Sequence, residues 1–186
     1  MPDILQSINW LDIIFIILLL GMVYKGIQTG VGGQIFSLLG YVILLFVSIG
    51  YYKFASEAIF GFLLQDWAKP ISFLGISVLI FVVTKFVERI FNITKGEDLA
   101  GIEKIGGVLV AAFRAVILCG AIGIFFLLTP ISYLQNSASV GSMTSMYFVK
   151  ADISTYSWLA RVTGINKEVE TSEVLSQIFP STEKDR

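Results

Sequence analysis

Two ionisable side chains stand inside stretches of sequence that are otherwise almost uniformly apolar. Asp12 is the single charge in the run LDIIFIILLLGMV, and Arg114 lies near the middle of a run over 105–128. At a helical rise of about 1.5 Å, Arg114 is roughly 14 Å beyond residue 105, a depth at which arginine costs about 2.5–3.5 kcal/mol to insert. A guanidinium cannot escape that cost by deprotonating. Ionisable groups at such depth face a bundle interior or a water-filled space, where they line ion paths or fix helix register. Asp12 sits about 6 Å in from the opposite side, which leaves a gap in depth of roughly 10 Å, much of it within reach of an arginine stem. The opposite charges predict that Asp12 and Arg114 meet, directly or through water. The competing reading keeps Asp12 at headgroup level as a helix N-terminal charge and bonds Arg114 to carbonyls.

Little other chemistry is available. The chain has no histidine, which removes the usual general base, Ser-His catalysis and imidazole metal sites. No paired carboxylates or activated nucleophile stand at matched depth, so neither an enzyme nor a metal or cofactor site is expected. Gly30-Val31-Gly32-Gly33 lacks the Gly-Lys-Ser/Thr that a phosphate-cradling loop needs and reads as a flexible link. Lys85, Glu88 and Arg89 close the third apolar run; Lys85 and Glu88 are one turn apart and able to pair, and all three read as snorkelling anchors. Glu97, Asp98 and Glu103, with Lys95 and Lys104, read as a solvated turn, with a cation site as the lesser alternative. The lone Cys119 falls in the fourth run and is expected to pack between helices. A net charge of −1, with no basic stripe, excludes nucleic acid as a partner.

These side chains have to be carried by membrane-crossing helices. Of the residues 55% are hydrophobic and only 15% charged, where soluble domains have about a quarter charged, and mean hydropathy is +0.81. Four runs, over 8–24, 33–52, 70–87 and 105–128, approach the roughly 20 residues that span a hydrocarbon core about 30 Å thick. They are too long and continuous for barrel strands. No Lys or Arg precedes Lys25, and Met22-Val23-Tyr24 is a poor cleavage site, so the first run is expected to remain as a helix. The expected fold is all-α, an integral membrane domain of four transmembrane helices over 1–130 and a polar tail over 131–186.

In the tail, Met143, Met146, Tyr147, Ile153, Tyr156, Leu159 and Val162 recur at helical spacing, with Lys150, Asp152 and Arg161 off that stripe. This predicts an amphipathic helix lying at the interface or over the bundle, with Tyr156 and Trp158 at headgroup level, ended by Gly164. A last short helix is expected over 171–179. Within the membrane domain, Gly107, Ala111 and Ala115 repeat every four residues and are continued by Cys119 and Gly123; Gly26 and Gly30, and Gly33 and Ser37, follow the same rule. Such spacing permits close helix approach, expected mainly within one chain, with a homo-oligomer seam as the alternative. Lys25, Arg89, Lys95 and Lys104 on one side outnumber Lys53, Lys69 and Lys150 on the other, which favours both termini outside, periplasmic in a bacterium.

Trp10-Leu11-Asp12, Lys25-Gly26, Phe36-Ser37-Leu38-Leu39-Gly40 and Gly101-Ile102-Glu103-Lys104, leading through Gly107 to Arg114, together resemble the colicin V production protein (CvpA) family over about residues 10–128. Ala111 and Ala115 stand where that family tends to have glycine, and no second basic residue follows Lys25-Gly26. The resemblance implies a small bacterial inner-membrane protein linked to production or export of a peptide toxin and to envelope maintenance. Two roles follow. One is a transport or channel-like component, lined by Asp12, Arg114 and small residues, working as an oligomer in the lipid bilayer; the other is a non-transporting scaffold that recruits export or envelope proteins.

Overall fold

The computed structural model describes residues 9–58, 65–90, 101–142 and 144–164. Among them every regular element is helical: α1 (Trp10–Ala58), α2 (Gln65–Ile90), α3 (Gly101–Leu128), the short α4 (Ser132–Asn136) running into a π-helical turn (Ser137–Gly141), and α5 (Ser145–Thr163). Three helices, over Trp10–Ala58, Asp66–Ile90 and Gly101–Leu128, are long and apolar enough to cross a membrane.

The first and second apolar runs are one element of 49 residues, broken only at Gly30, where φ is 64° and ψ −174°. A left-handed φ is open to glycine without steric cost, and here it turns the chain back on itself. Before the break, contacts descend α3: Trp10 stacks edge-on against Phe126, and Gly26 lies against Gly107 and Ala111. After it they climb α3 again, from Val31 at Gly106 to Tyr41 at Arg114. The turn is pinned by Gln34 Nε2, which donates to Thr29 Oγ1, while Thr29 Oγ1 donates to the Lys25 carbonyl at 2.9 Å. The two arms of α1 therefore lie antiparallel on α3.

α2 runs back along the C-terminal arm of α1, with Tyr52 on Phe73, Ser48 bonded to Ser77 at 2.9 Å and Tyr41 on Phe81. Its Pro70 comes early enough in the helix that few backbone bonds are lost. α3 stops before Pro130, where Thr129 Oγ1 donates back to the Phe125 carbonyl at 2.9 Å. Leu11, Phe15, Leu45, Ile117 and Ile124 fill the centre.

α5 does not follow one helix but crosses three. Phe148 meets Phe15 on the first arm of α1, Asp152 lies on Gly120 of α3, and Tyr156 meets Phe46 on the second arm. These residues are four apart and so share one helical face. α5 ends as expected at Gly164, whose φ of 66° and N–H bond to the Ala160 carbonyl close the last turn. The apolar stripe of α5 is split between two surroundings: Ile153 and Tyr156 are buried with Ser145, Val149, Asp152 and Ala160, while Tyr147 and Val162 are exposed. Against a membrane bundle the small and polar residues allow close approach, while large apolar ones are tolerated by lipid. Met143 and the helix expected over 171–179 lie outside the described residues, as does the turn over 91–100 with Lys95, Glu97 and Asp98.

Candidate functional site

The buried charge of α3 is positioned by small neighbours. Ala111, one turn before Arg114, and Ala115, next to it in the chain, are fully buried, and Ala111 lies against Gly26 of the first arm of α1, which lets α3 sit close to that arm. Arg114 is 4% exposed. Its guanidinium lies over the Tyr41 ring, 5.3 Å from the centroid, a cation–π contact that desolvation strengthens. Arg114 Nε has no hydrogen-bond partner.

Glu88 of α2 faces the same seam. It accepts hydrogen bonds from Ser37 Oγ and from Lys85 Nζ, each at 2.6 Å, and the latter is an ion pair within one turn. Arg114 acts on it through space, an attraction that the low dielectric of the interior preserves. Lys85 also lies 5.8 Å from the Phe81 ring centroid. Gly40 allows this approach, since a Cβ there would run into Thr84. Ser37, Tyr41, Lys85, Glu88 and Arg114 thus form one polar seam where α1, α2 and α3 meet, holding two cations and one carboxylate.

Asp12 is not part of it. Its Oδ1 accepts from Ser142 Oγ at 2.6 Å, Thr144 N–H at 3.2 Å and Thr144 Oγ1 at 2.5 Å, and its Oδ2 accepts from the Asn9 N–H at 3.2 Å. Asn9 and Trp10 tie the same corner to Ser137. The expected Asp12–Arg114 pair is therefore corrected: Asp12 sits in the first turn of α1 at the far end of α3 and is saturated by the segment between the π turn and α5. Hydrogen bonds to a charged acceptor contribute about 1.5–3 kcal/mol, so Asp12 anchors the α5 segment. Arg114 instead acts through space on Glu88, whose direct ion pair is with Lys85, the pairing that their one-turn spacing allows in the sequence.

The family-like residues divide in two. Gly26 and Gly107 meet backbone to backbone with Ala111 beside them, and Gly107 also touches Gly30. Lys25, Gly101, Glu103 and Lys104 are exposed, and Gly33 is half-buried in the opening turns after the break. Ser37, expected as a packing residue, is a donor to the seam.

A second buried carboxyl, unmarked by the sequence reading, lies where α5 crosses α3. Asp152 is 1% exposed, and neither of its oxygens has a hydrogen-bond partner; nor does Ser145 Oγ one crossing contact away, beside Gly123. Burial without a donor pushes the Asp152 carboxyl well above the usual carboxylate range. A stripe reading of Ser145, Val149, Asp152, Tyr156 and Ala160 at three- and four-residue spacing would have found it.

No curated relative and no solved structure matches the chain. The family model described as colicin V production protein matches residues 11–152, a stretch that carries both arms of α1, the seam, the Asp12 corner and the start of α5 as far as Asp152. Long apolar helices and that match make this a membrane protein, and the chain belongs to the colicin V production protein family.

Proposed function

We propose that the chain is a four-crossing protein of the bacterial inner membrane that serves peptide toxin production or export and envelope maintenance, as a non-enzymatic, channel-like or transport component working as an oligomer. The observation that carries this reading is the seam. Two cations face one carboxylate, and Arg114 keeps Nε unbonded although it is almost wholly buried. An arginine that only fixed register would gain most by saturating its donors on carbonyls; an unsaturated one is free to meet a passing anion or a partner. Each arm of α1 is long enough to cross on its own at about 1.5 Å per residue, which supports four crossings.

Ion and proton flux in proteoliposomes, comparing the natural chain with Arg114→Leu and Lys85→Gln at equal insertion, tests the reading. The expected result is flux above empty liposomes that both substitutions change. A scaffold that recruits export or envelope proteins is the second reading. Its support is that the small-residue faces are used inside the chain, Gly26 on Gly107 and Gly120 on Asp152, which leaves fewer such faces for an oligomer. Absence of flux from all three folded proteins would favour it.

A further inference from the structure

Between α2 and α3 the bundle is open toward the membrane. Both helices pack on the second arm of α1 yet scarcely touch each other. The space between them is a cavity of about 260 Å³, walled by Leu74, Val78 and Phe81 on α2 and by Leu118 and Ile122 on α3, with Leu44 as its floor. Leu74 and Val78 are about half exposed, so the groove is reached sideways from the bilayer.

Its three walls change character together. One turn beyond Phe81 on the same stripe of α2 is Lys85; one turn before Leu118 on α3 is Arg114; one turn before Leu44 on α1 is Tyr41. The groove's own lining is apolar apart from Ser77, and the cations Lys85 and Arg114 stand one turn beyond its foot, where Arg114 Nε is buried without a partner. From Leu74 to Lys85 the helix rises about 17 Å, close to the ~15 Å half-thickness of a hydrocarbon core. The foot lies in the half of the molecule nearer the Gly30 turn, about two turns of α3 above the Gly26–Gly107 contact.

We propose that this groove binds one monoanionic phospholipid of the surrounding leaflet, its phosphate between Lys85 and Arg114 and an acyl chain along α2 and α3. Charge selects the headgroup. Lys85 and Arg114 exceed Glu88 by one positive charge, which a single phosphodiester neutralises. A zwitterionic headgroup brings its own cation, and Glu88, the acid it would meet, is already held by Ser37 and Lys85. The inference uses the seam on which the proposed function rests but needs no conduction through it.

Native mass spectrometry of the full chain, titrated with phosphatidylglycerol, phosphatidylethanolamine of the same acyl chains, and oleate, tests this. One phosphatidylglycerol is expected to be retained per chain, about tenfold in preference to phosphatidylethanolamine, the factor set by one hydrogen bond to a charged group. Lys85→Gln should remove most of that preference. Val78→Trp, at a half-exposed wall position that leaves the core untouched, should block retention of either phospholipid. Equal retention of the two phospholipids, a preference unmoved by Lys85→Gln, retention that survives Val78→Trp, or oleate competing on equal terms would each overturn the proposal. A chain that retains phosphatidylglycerol but carries no flux upholds it and overturns the transport reading alone.

Discussion

A carboxyl group buried with no donor on either oxygen is costly as an anion and far less so as a neutral acid, and Asp152 is held in that state where α5 crosses α3. Its carboxyl in the folded chain titrates above the ordinary value near 3.8. The packed state therefore gains from protons: the docking of α5 is most stable below the ordinary aspartate range and weakens as pH rises through the raised value of the folded state. The group facing Asp152 from α3 is the Cys119 thiol, near enough for their charges to interact, and no cation faces it among the described residues. Thermal unfolding in detergent should show a midpoint that falls as pH rises from about 4, and Asp152→Asn should flatten the profile. Retention of the slope in Asp152→Asn would place its origin elsewhere. This residue is hard to read in the sequence because Asp152 sits between Lys150 and Arg161 on a helix with charges on several faces, and nothing local says which face meets the bundle. Asp12 and Arg114 were legible as buried charges from their apolar surroundings alone, but their partners depend on how far α1 and α3 slide past each other, which local sequence does not encode. Glu88 reads as a snorkelling anchor able to pair with Lys85 because it stands at the end of a run, and it is the antiparallel docking of α2 that brings it level with Ser37 as well.

At the scale of helices, close approach is concentrated at a few glycines. A Cβ at Gly26 would stand 2.6 Å from the Gly107 carbonyl oxygen and 2.7 Å from Ala111 Cβ, while one at Gly21 meets nothing within 4 Å. Both glycines lie on the first arm of α1 and differ mainly in what they face. The obstacle at Gly26 is backbone, which cannot swing aside, so the first arm would have to move off α3. Gly26→Ala is expected to destabilise by about 1–3 kcal/mol, the usual range for overpacking. Gly21→Ala should be neutral or stabilising by up to about 1 kcal/mol, from helix propensity. Unfolding of the two variants by denaturing detergent checks the contrast, and equal effects would mean that the arms are not packed as described. The repeat of small residues was readable from spacing because membrane helices associate through such residues. The single-residue reversal was not: Gly30 is one of several glycines between Gly26 and Gly33, and the sequence does not say which takes positive φ. Apolar spacing in the tail is only partly informative for a related reason, since the buried face of α5 mixes Ile153 and Tyr156 with Ser145, Asp152 and Ala160, while Tyr147, Trp158 and Val162 stay exposed.

For the whole molecule the open quantity is orientation, and the ends of the bundle are defined by contacts rather than by the thin excess of Lys and Arg. The Gly30 turn, the start of α3 and the end of α2 share one end, through Gly26 on Gly107, Val31 on Gly106 and Ser37 on Glu88. The end of α3 and the Asp12 corner share the other, through Trp10 on Phe126 and Asp12 on Ser142. With each arm of α1 crossing once, Gln28 and Lys104 should face the cytoplasm, and Lys53 and Val140 the periplasm. All four are exposed. Cys119 is fully buried, so Cys119→Ala provides a background for single cysteines at these positions. A membrane-impermeant maleimide should label positions 53 and 140 in intact spheroplasts and positions 28 and 104 only after permeabilisation. Reversal of both pairs would preserve the four crossings and move the termini to the cytoplasm, against the charge bias. Labelling of 28 and 53 from the same side would instead show that the hairpin dips into the membrane without crossing it, and with that the seam at Ser37 and Glu88 would lose the depth that makes its charges costly.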